Sequence, residues 1–251
     1  MSLALVTGGT SGIGAAFVRA LAAEGYHLVV VARDAQRLAE QGRELSAKHG
    51  VPVTPLAADL TTPDGCAAVE RRLAEPTEPV DLLVNNAGMA LNRSFLKTTP
   101  DDLDRMLALN VTAVQRLTRA ALPGMVERRQ GDVINVSSVA GFIAMPGSTY
   151  SASKAWVTNF SESVGLAVRR HGVRVLALCP GFTRTEFQER AGIDRGGIPA
   201  WLWLSADEVV RDGLRDLRRG RPVSVPDWRY KAAVFGLRYG PRRLISRRAR
   251  G

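Results

Sequence analysis

Tyr150 and Lys154 stand four positions apart in Tyr150-Ser151-Ala152-Ser153-Lys154, where a helical pattern opens. On a helix that spacing puts a phenol and an ammonium on one face, one turn from each other. A fixed ammonium favours the phenolate, so the tyrosine pKa is expected to fall from about 10 toward neutrality. There a phenol becomes a usable general acid or base. Chance also supplies Tyr-x-x-x-Lys on amphipathic helices, so the surrounding elements must decide. A second stretch with chemistry is Thr7-Gly8-Gly9-Thr10-Ser11-Gly12-Ile13-Gly14. Glycines at this spacing let a backbone turn tightly and approach a pyrophosphate resting on a helix N-terminus.

Both stretches need a scaffold that brings them to one edge. Leu3-Ala4-Leu5-Val6-Thr7 is a short apolar run, followed by the glycines, a helix pattern from Ala15 to Glu24 and a second apolar run, His27 to Ala32. Strand, glycine turn, helix and strand make a βαβ unit with parallel strands and a right-handed crossover. The alternation continues. Further strands are expected at 51–56, 80–84, 132–136, 173–179 and 223–225, with helices at 35–49, 62–75, 99–129, 150–170 and 205–219. Pro52 and Pro55 assign the third strand to an outer position, and Pro123 marks a bend in the long helix. Seven parallel strands alternating with helices define an α/β, doubly wound Rossmann sheet. Residues 1–227 then form one domain.

In such a sheet ligands bind beyond the carboxyl ends of the strands. The glycine turn follows strand one. Arg33-Asp34 follows strand two, where an arginine accommodates a 2′-phosphate and an acid holds ribose hydroxyls. Arg33 favours NADP(H); Asp34, by neutralising Arg33 or binding ribose, keeps NAD(H) as the alternative. Asp59-Leu60 follows strand three, placed to cap a helix or bond an adenine amino group. Asn85-Asn86-Ala87-Gly88 follows strand four, Ser137-Ser138 strand five, and Pro180-Gly181-Phe182-Thr183-Arg184-Thr185 strand six. Agreement of six strand ends on one edge is far stronger than any one of them.

These motifs, with Asn110, stand in the order and near the spacing of the short-chain dehydrogenase/reductase family, which residues 3–227 closely resemble. The resemblance implies a seven-stranded Rossmann fold and a nicotinamide cofactor. It makes Tyr150 the proton donor or acceptor at a carbonyl or carbinol oxygen. Lys154 would lower its pKa and bind the nicotinamide ribose, Ser138 would hydrogen-bond the substrate oxygen, and Asn110 would support a water-linked proton path. It places Gly8, Thr10, Ser11, Gly12, Ile13, Gly14, Arg33, Asp59, Leu60, Asn86, Ala87, Gly88, Tyr150, Lys154, Pro180, Gly181, Thr183 and Thr185 at the cofactor. Ser138 lies 12 residues before Tyr150 where many relatives have 13. Ser137 would restore that count, but Ser138-Val139-Ala140-Gly141 carries the family's Ser-x-x-Gly pattern. A dimer or tetramer is the usual assembly.

The stretch 182–204 would cover the substrate. It is rich in apolar and aromatic residues, with Gly192, Gly196 and Gly197 as hinges. Met89, Phe142, Met145, Phe187 and Trp201 are its candidate contacts, and a hydrophobic acyl, steroid or polyketide-like ketone is the expected substrate. The alternative use of Trp201-Leu202-Trp203-Leu204 is to anchor the loop or a dimer. The reading is an NADP(H)-preferring reductase; the rivals are an NAD-dependent alcohol dehydrogenase and a dinucleotide-sensing binding protein without turnover.

Composition adds bounds. At 251 residues, 45% apolar and 23% charged, the chain is an ordinary globular protein, with no apolar run long enough for a membrane span. Strand one starts at Leu3 with no leader before it, so a cytoplasmic location is expected. Cys66 and Cys179 are isolated, and three scattered histidines give no metal-ligand spacing. The net charge of +10 is uneven: residues 228–251 hold eight Arg or Lys and no acid, while the other 227 hold 26 basic and 24 acidic groups. This tail fits two short amphipathic helices around Gly240-Pro241. They could lie on an anionic membrane at the inner face, pack on a neighbouring subunit or remain a solvated arm. No recognition motif accompanies the charge, so nucleic acid is not expected.

Overall fold

The computed structural model describes residues 2–91, 93–145, 147–187 and 198–239. Seven parallel strands form one sheet in the order β3-β2-β1-β4-β5-β6-β7. They are β1 (Leu3–Thr7), β2 (His27–Ala32), β3 (Val53–Ala57), β4 (Leu82–Asn85), β5 (Gly131–Val136), β6 (Val173–Leu178) and β7 (Val223–Ser224). The helices are α1 (Gly12–Ala23), α2 (Ala35–His49), α3 (Pro63–Leu73), α4 (Pro100–Leu107), α5 (Ala113–Glu127), α6 (Thr149–Val168), α7 (Ala206–Arg218) and α8 (Trp228–Tyr239). The proline-bearing β3 is an edge strand, as its residues require.

Local chemistry starts the helices where the chain needs them. Thr62, Thr99 and Ser148 each accept a backbone hydrogen bond from the first turn of α3, α4 and α6, and Ser205 with Glu208 forms a capping box on α7. The sheet buries both faces. Leu5, Leu83, Val133 and Val175 pack with α3 and α5, while Val6, Val84, Ile134 and Leu176 pack with α1 and α7. The strand order turns around between β1 and β4, which opens the crevice that a doubly wound sheet offers a ligand.

Two features differ from expectation. The long helix departs from regular geometry at Ala108–Thr112, a π turn joining α4 to α5, rather than at Pro123, which lies inside α5. One extra residue per turn is cheap there because Asn110 is held on both sides by side-chain bonds, and such turns gather at functional sites. The boundary expected at 227 also cuts through packed structure. Tyr230 and Val234 of α8 belong to the core, and a Cβ on Gly181 would lie 2.1 Å from the Tyr230 ring. The Tyr230 hydroxyl donates to Leu202 O at 2.7 Å and accepts from Phe182 N at 3.0 Å, so it ties both ends of the 182–204 segment together. Tyr230→Phe is therefore expected to lose about 1–3 kcal/mol in chemical denaturation. A change below a few tenths would show that the segment is anchored elsewhere. The hinge glycines 192, 196 and 197 and the second tail helix lie outside the described residues.

Candidate active site

The glycine turn is built for close approach. Gly8 and Gly12 have φ of +63° and +54°, in the left-handed region. A Cβ on Gly8 would stand 3.0 Å from Ala87 Cα, and one on Gly12 would stand 3.0 Å from Thr185 Cβ. Helix α1 begins at Gly12, three residues before the expected Ala15, so the glycines supply its first N–H groups. Ser11 precedes it with extended backbone, makes no side-chain cap, and the first turn has no acid. A helix N-terminus without its own cap or carboxylate fits a pyrophosphate. Asn86 braces this turn instead of reaching outward: its Nδ2 donates to Thr7 O at 3.0 Å and Gly8 O at 3.1 Å. Thr7 Oγ1 accepts from the N–H groups of Asn86 and Ala87, both at 3.0 Å, and locks the β1 and β4 ends together.

At the β2 end Asp34 is committed to a cap: its Oδ1 accepts from Arg37 N at 3.0 Å. Arg33 is exposed beside it. Burial raises the Asp59 carboxyl, but hydrogen bonds from Thr61 and the nearby Arg33 and Arg105 outweigh that and leave it below its usual range. Leu60 is buried in the core, and its carbonyl accepts from the Cys66 thiol at 3.3 Å. Thr10 and Ile13 line the same turn, and Pro180 leads into Gly181 and Thr183, which accepts no role in the strand but pairs with Leu204 in an isolated bridge.

Tyr150 and Lys154 share one face of α6, with Lys154 Nζ 5.7 Å from the phenol ring centroid. Lys154 is 5% exposed and donates to Val136 O at 2.8 Å. Of the two serines, Ser138 meets Tyr150, and its hydrogen bond favours the phenolate. Ser137 is buried and donates to Lys154 O at 2.7 Å, which fixes α6 against β5. The expected lowering of the Tyr150 pKa is not seen. Burial comes first and pushes the phenol up to about 12, above what Ser138 recovers. Burial also pushes Lys154 down to about 8, so the ammonium that was to stabilise the phenolate is itself weakened. The unfolded chain therefore binds more protons at Lys154 than the folded chain between about pH 8 and 10.5. The stability of wild type relative to Lys154→Met should rise with pH across that window, read from denaturation midpoints. A flat or falling difference would contradict the buried ammonium.

Asn110 is fully buried in the π turn. It accepts from Met89 N at 2.9 Å and donates to Met89 O at 2.8 Å and Ser153 Oγ at 3.2 Å. It thus holds the loop after β4 against α6. A Cβ on Gly88 would lie 3.3 Å from Asn110 Oδ1 and 3.5 Å from Lys154 Nζ, so the absent side chain keeps these two groups near each other. Phe187 comes to Tyr150, with ring centroids 5.9 Å apart. Phe142 packs partly on the core and Met145 is exposed. Trp201 does not join them: it is 61% exposed, with Arg229 6.0 Å from its ring. Leu202 to Leu204 do the anchoring, with Leu204 buried and Trp203 against Phe182. Cys179 is buried in the core and burial pushes its thiol up to about 11, so it is an inert neutral group.

Sequence reading passed over Tyr230 and Arg37. Tyr230 lay beyond the last expected strand. Arg37 lies in the first turn of α2, whose N-cap Asp34 directly follows Arg33, and a basic residue in the first turn after a strand-end arginine is the signal that would have found it.

Residues 2–196 match the family described as short chain dehydrogenase. A short-chain dehydrogenase from Sphingobium yanoikuyae, solved in complex with NADPH, superposes with a TM-score of 0.88 at 38% identity, over 98% of this chain and 96% of that one. The bulky-bulky ketone specific alcohol dehydrogenase from Comamonas testosteroni gives 0.84 at 32%, over 98% and 94%. A very-long-chain 3-oxoacyl-CoA reductase of Bos taurus is 32% identical over 92% of this chain and 78% of its own length. The chain belongs to the short-chain dehydrogenase/reductase family. It is an oxidoreductase acting on CH–OH or C=O groups of a small molecule, and its cofactor is a nicotinamide dinucleotide.

Proposed function

We propose that this enzyme uses NADPH to reduce the carbonyl of a bulky, apolar ketone. The observation that carries the reading is Phe187 beside Tyr150: the proton-bearing phenol is flanked by an aromatic wall from the substrate segment. When bound, the nicotinamide supplies the hydride. Tyr150, protonated at neutral pH, gives its proton to the oxygen on which charge develops. Ser138 donates a hydrogen bond to the same oxygen and steadies that charge. Lys154 lies behind the phenol and holds the cofactor ribose, while Asn110 keeps the β4 loop and α6 in register. Arg33 is the cation for a 2′-phosphate, and Asp34 is occupied as a helix cap. The relatives whose names mention bulky ketones and very long acyl chains agree with an apolar substrate.

A panel of linear, cyclic and steroidal ketones with NADPH and NADH tests this. The expected result is higher kcat/KM on the bulkier ketones with NADPH, with Arg33→Ala erasing the cofactor preference and Phe187→Ala the substrate preference. Equal use of both cofactors by wild type and Arg33→Ala would replace it by the NAD-dependent alcohol dehydrogenase reading.

The tail supports a second role, peripheral contact with an anionic membrane. Among the described residues no helix is long and apolar enough to cross a membrane, α8 exposes Trp228 and Phe235, and the sequence 228–251 holds eight basic residues and no acid. The full chain should cosediment with phosphatidylserine vesicles in a salt-dependent way. Absence of binding leaves these side chains for a second copy in a homodimer or homotetramer, seen by light scattering.

A further inference from the structure

Five residues after β6 run along the whole cofactor crevice. Thr183 pairs with Leu204, Thr185 lies against Gly12, Glu186 reaches α2, and Phe187 reaches Tyr150. The contact with α2 is a forked ion pair. The Arg37 guanidinium donates to Glu186 Oε1 at 2.8 Å and Oε2 at 3.4 Å. Arg37 stands in the first turn of α2, and its backbone N–H is held by Asp34, the neighbour of Arg33. Two arginines therefore flank the corner where β2 ends, and one of them is engaged by a carboxylate from the substrate segment.

We infer that Arg37 is a second cation for the 2′-phosphate of NADPH, and that Glu186 competes with that phosphate for it. This deepens the cofactor reading given above and rests on it. The pair is exposed on both sides, 44% and 43%, and a screened pair of that kind is worth little on its own. A phosphomonoester carries more charge than a carboxylate and three acceptor oxygens, so it outbids Glu186 for a forked guanidinium. NADH carries no 2′-phosphate and leaves the pair intact. The discrimination between the two cofactors is then set by three residues: Arg33 and Arg37 attract the phosphate, and Glu186 subtracts from the attraction.

The test is calorimetric titration of the full chain with NADPH and with NADH, without substrate. Arg37→Ala should weaken NADPH about tenfold, the scale of one charge-assisted hydrogen bond, and leave NADH within about twofold. Glu186→Gln should tighten NADPH by a few fold and leave NADH alone. The double variant should match Arg37→Ala, because Glu186 acts through Arg37. A Glu186→Gln protein with an unchanged NADPH-to-NADH ratio overturns the exchange. So does tightening that persists in the Arg37→Ala background, which would mark plain repulsion of phosphate by Glu186. Arg33→Ala separates the two levels. If it abolishes the preference while Arg37 and Glu186 variants are silent, the exchange alone is wrong. If wild type shows no preference and Arg33→Ala changes nothing, the cofactor reading falls and the exchange with it.

Discussion

Tyr150→Phe should lower ketone turnover by about 10²–10⁴-fold, the range for removing a positioned general acid. The substitution keeps the ring that meets Phe187 and removes only the oxygen that Ser138 bonds. Dinucleotide affinity and melting temperature should therefore stay near wild type. NADPH absorbance with the best ketone of the panel, a titration and a thermal melt give the three readouts. Undiminished turnover would remove Tyr150 from the chemistry. A loss of turnover together with collapse of the melt would mean instead that the phenol is structural.

The direction of the pH effect follows from the same group. Burial outweighs Ser138 at Tyr150, and no stabilisation from Lys154 offsets it, because the ammonium is itself buried and turned to Val136 O. A phenol that keeps its proton past neutrality is a donor at working pH.

The sheet was legible because its strands are buried on both faces and therefore read as unbroken apolar runs between turn residues. The polar strand ends were legible for the complementary reason: after Ala32, Val84 and Val136 the chain changes abruptly to groups that need partners. What sequence could not supply is the balance of competing terms. A Tyr-x-x-x-Lys spacing fixes a shared face, but it does not say whether Coulomb attraction or desolvation prevails there. Likewise Asn86 looked like a cofactor ligand by position, and only the path of the backbone shows its amide spent on Thr7 O and Gly8 O. Contacts between distant segments were the least accessible. Arg37 with Glu186 spans 149 residues, and Tyr230 with Phe182 spans 48, and no local pattern encodes either. The π turn was hidden too: Asn110, Val111 and Thr112 are weak helix formers, but that weakness does not separate a π turn from an α turn.

The glycine turn offers the other large effect. A Cβ on Gly14 would sit 2.1 Å from Gly8 O and 2.4 Å from Asn86 Nδ2. The first of these is backbone, and Asn86 is pinned by two carbonyls, so neither can yield without opening the turn. Gly14→Ala is thus expected to cost about 1–3 kcal/mol, the range for forcing an extra methyl into a packed site, and to weaken both NADPH and NADH at least tenfold, about 1.4 kcal/mol. Gly220→Ala is the control. Gly220 has φ of +67° with open space around it. An alanine there is strained by backbone alone, at a cost of about 1 kcal/mol, and is remote from the turn. Both variants should lower the denaturation midpoint, and only Gly14→Ala should lose the dinucleotide. Retained binding in Gly14→Ala would mean that the turn relaxes around the methyl and that the close approach of Gly14 to Gly8 is not what shapes the pyrophosphate seat.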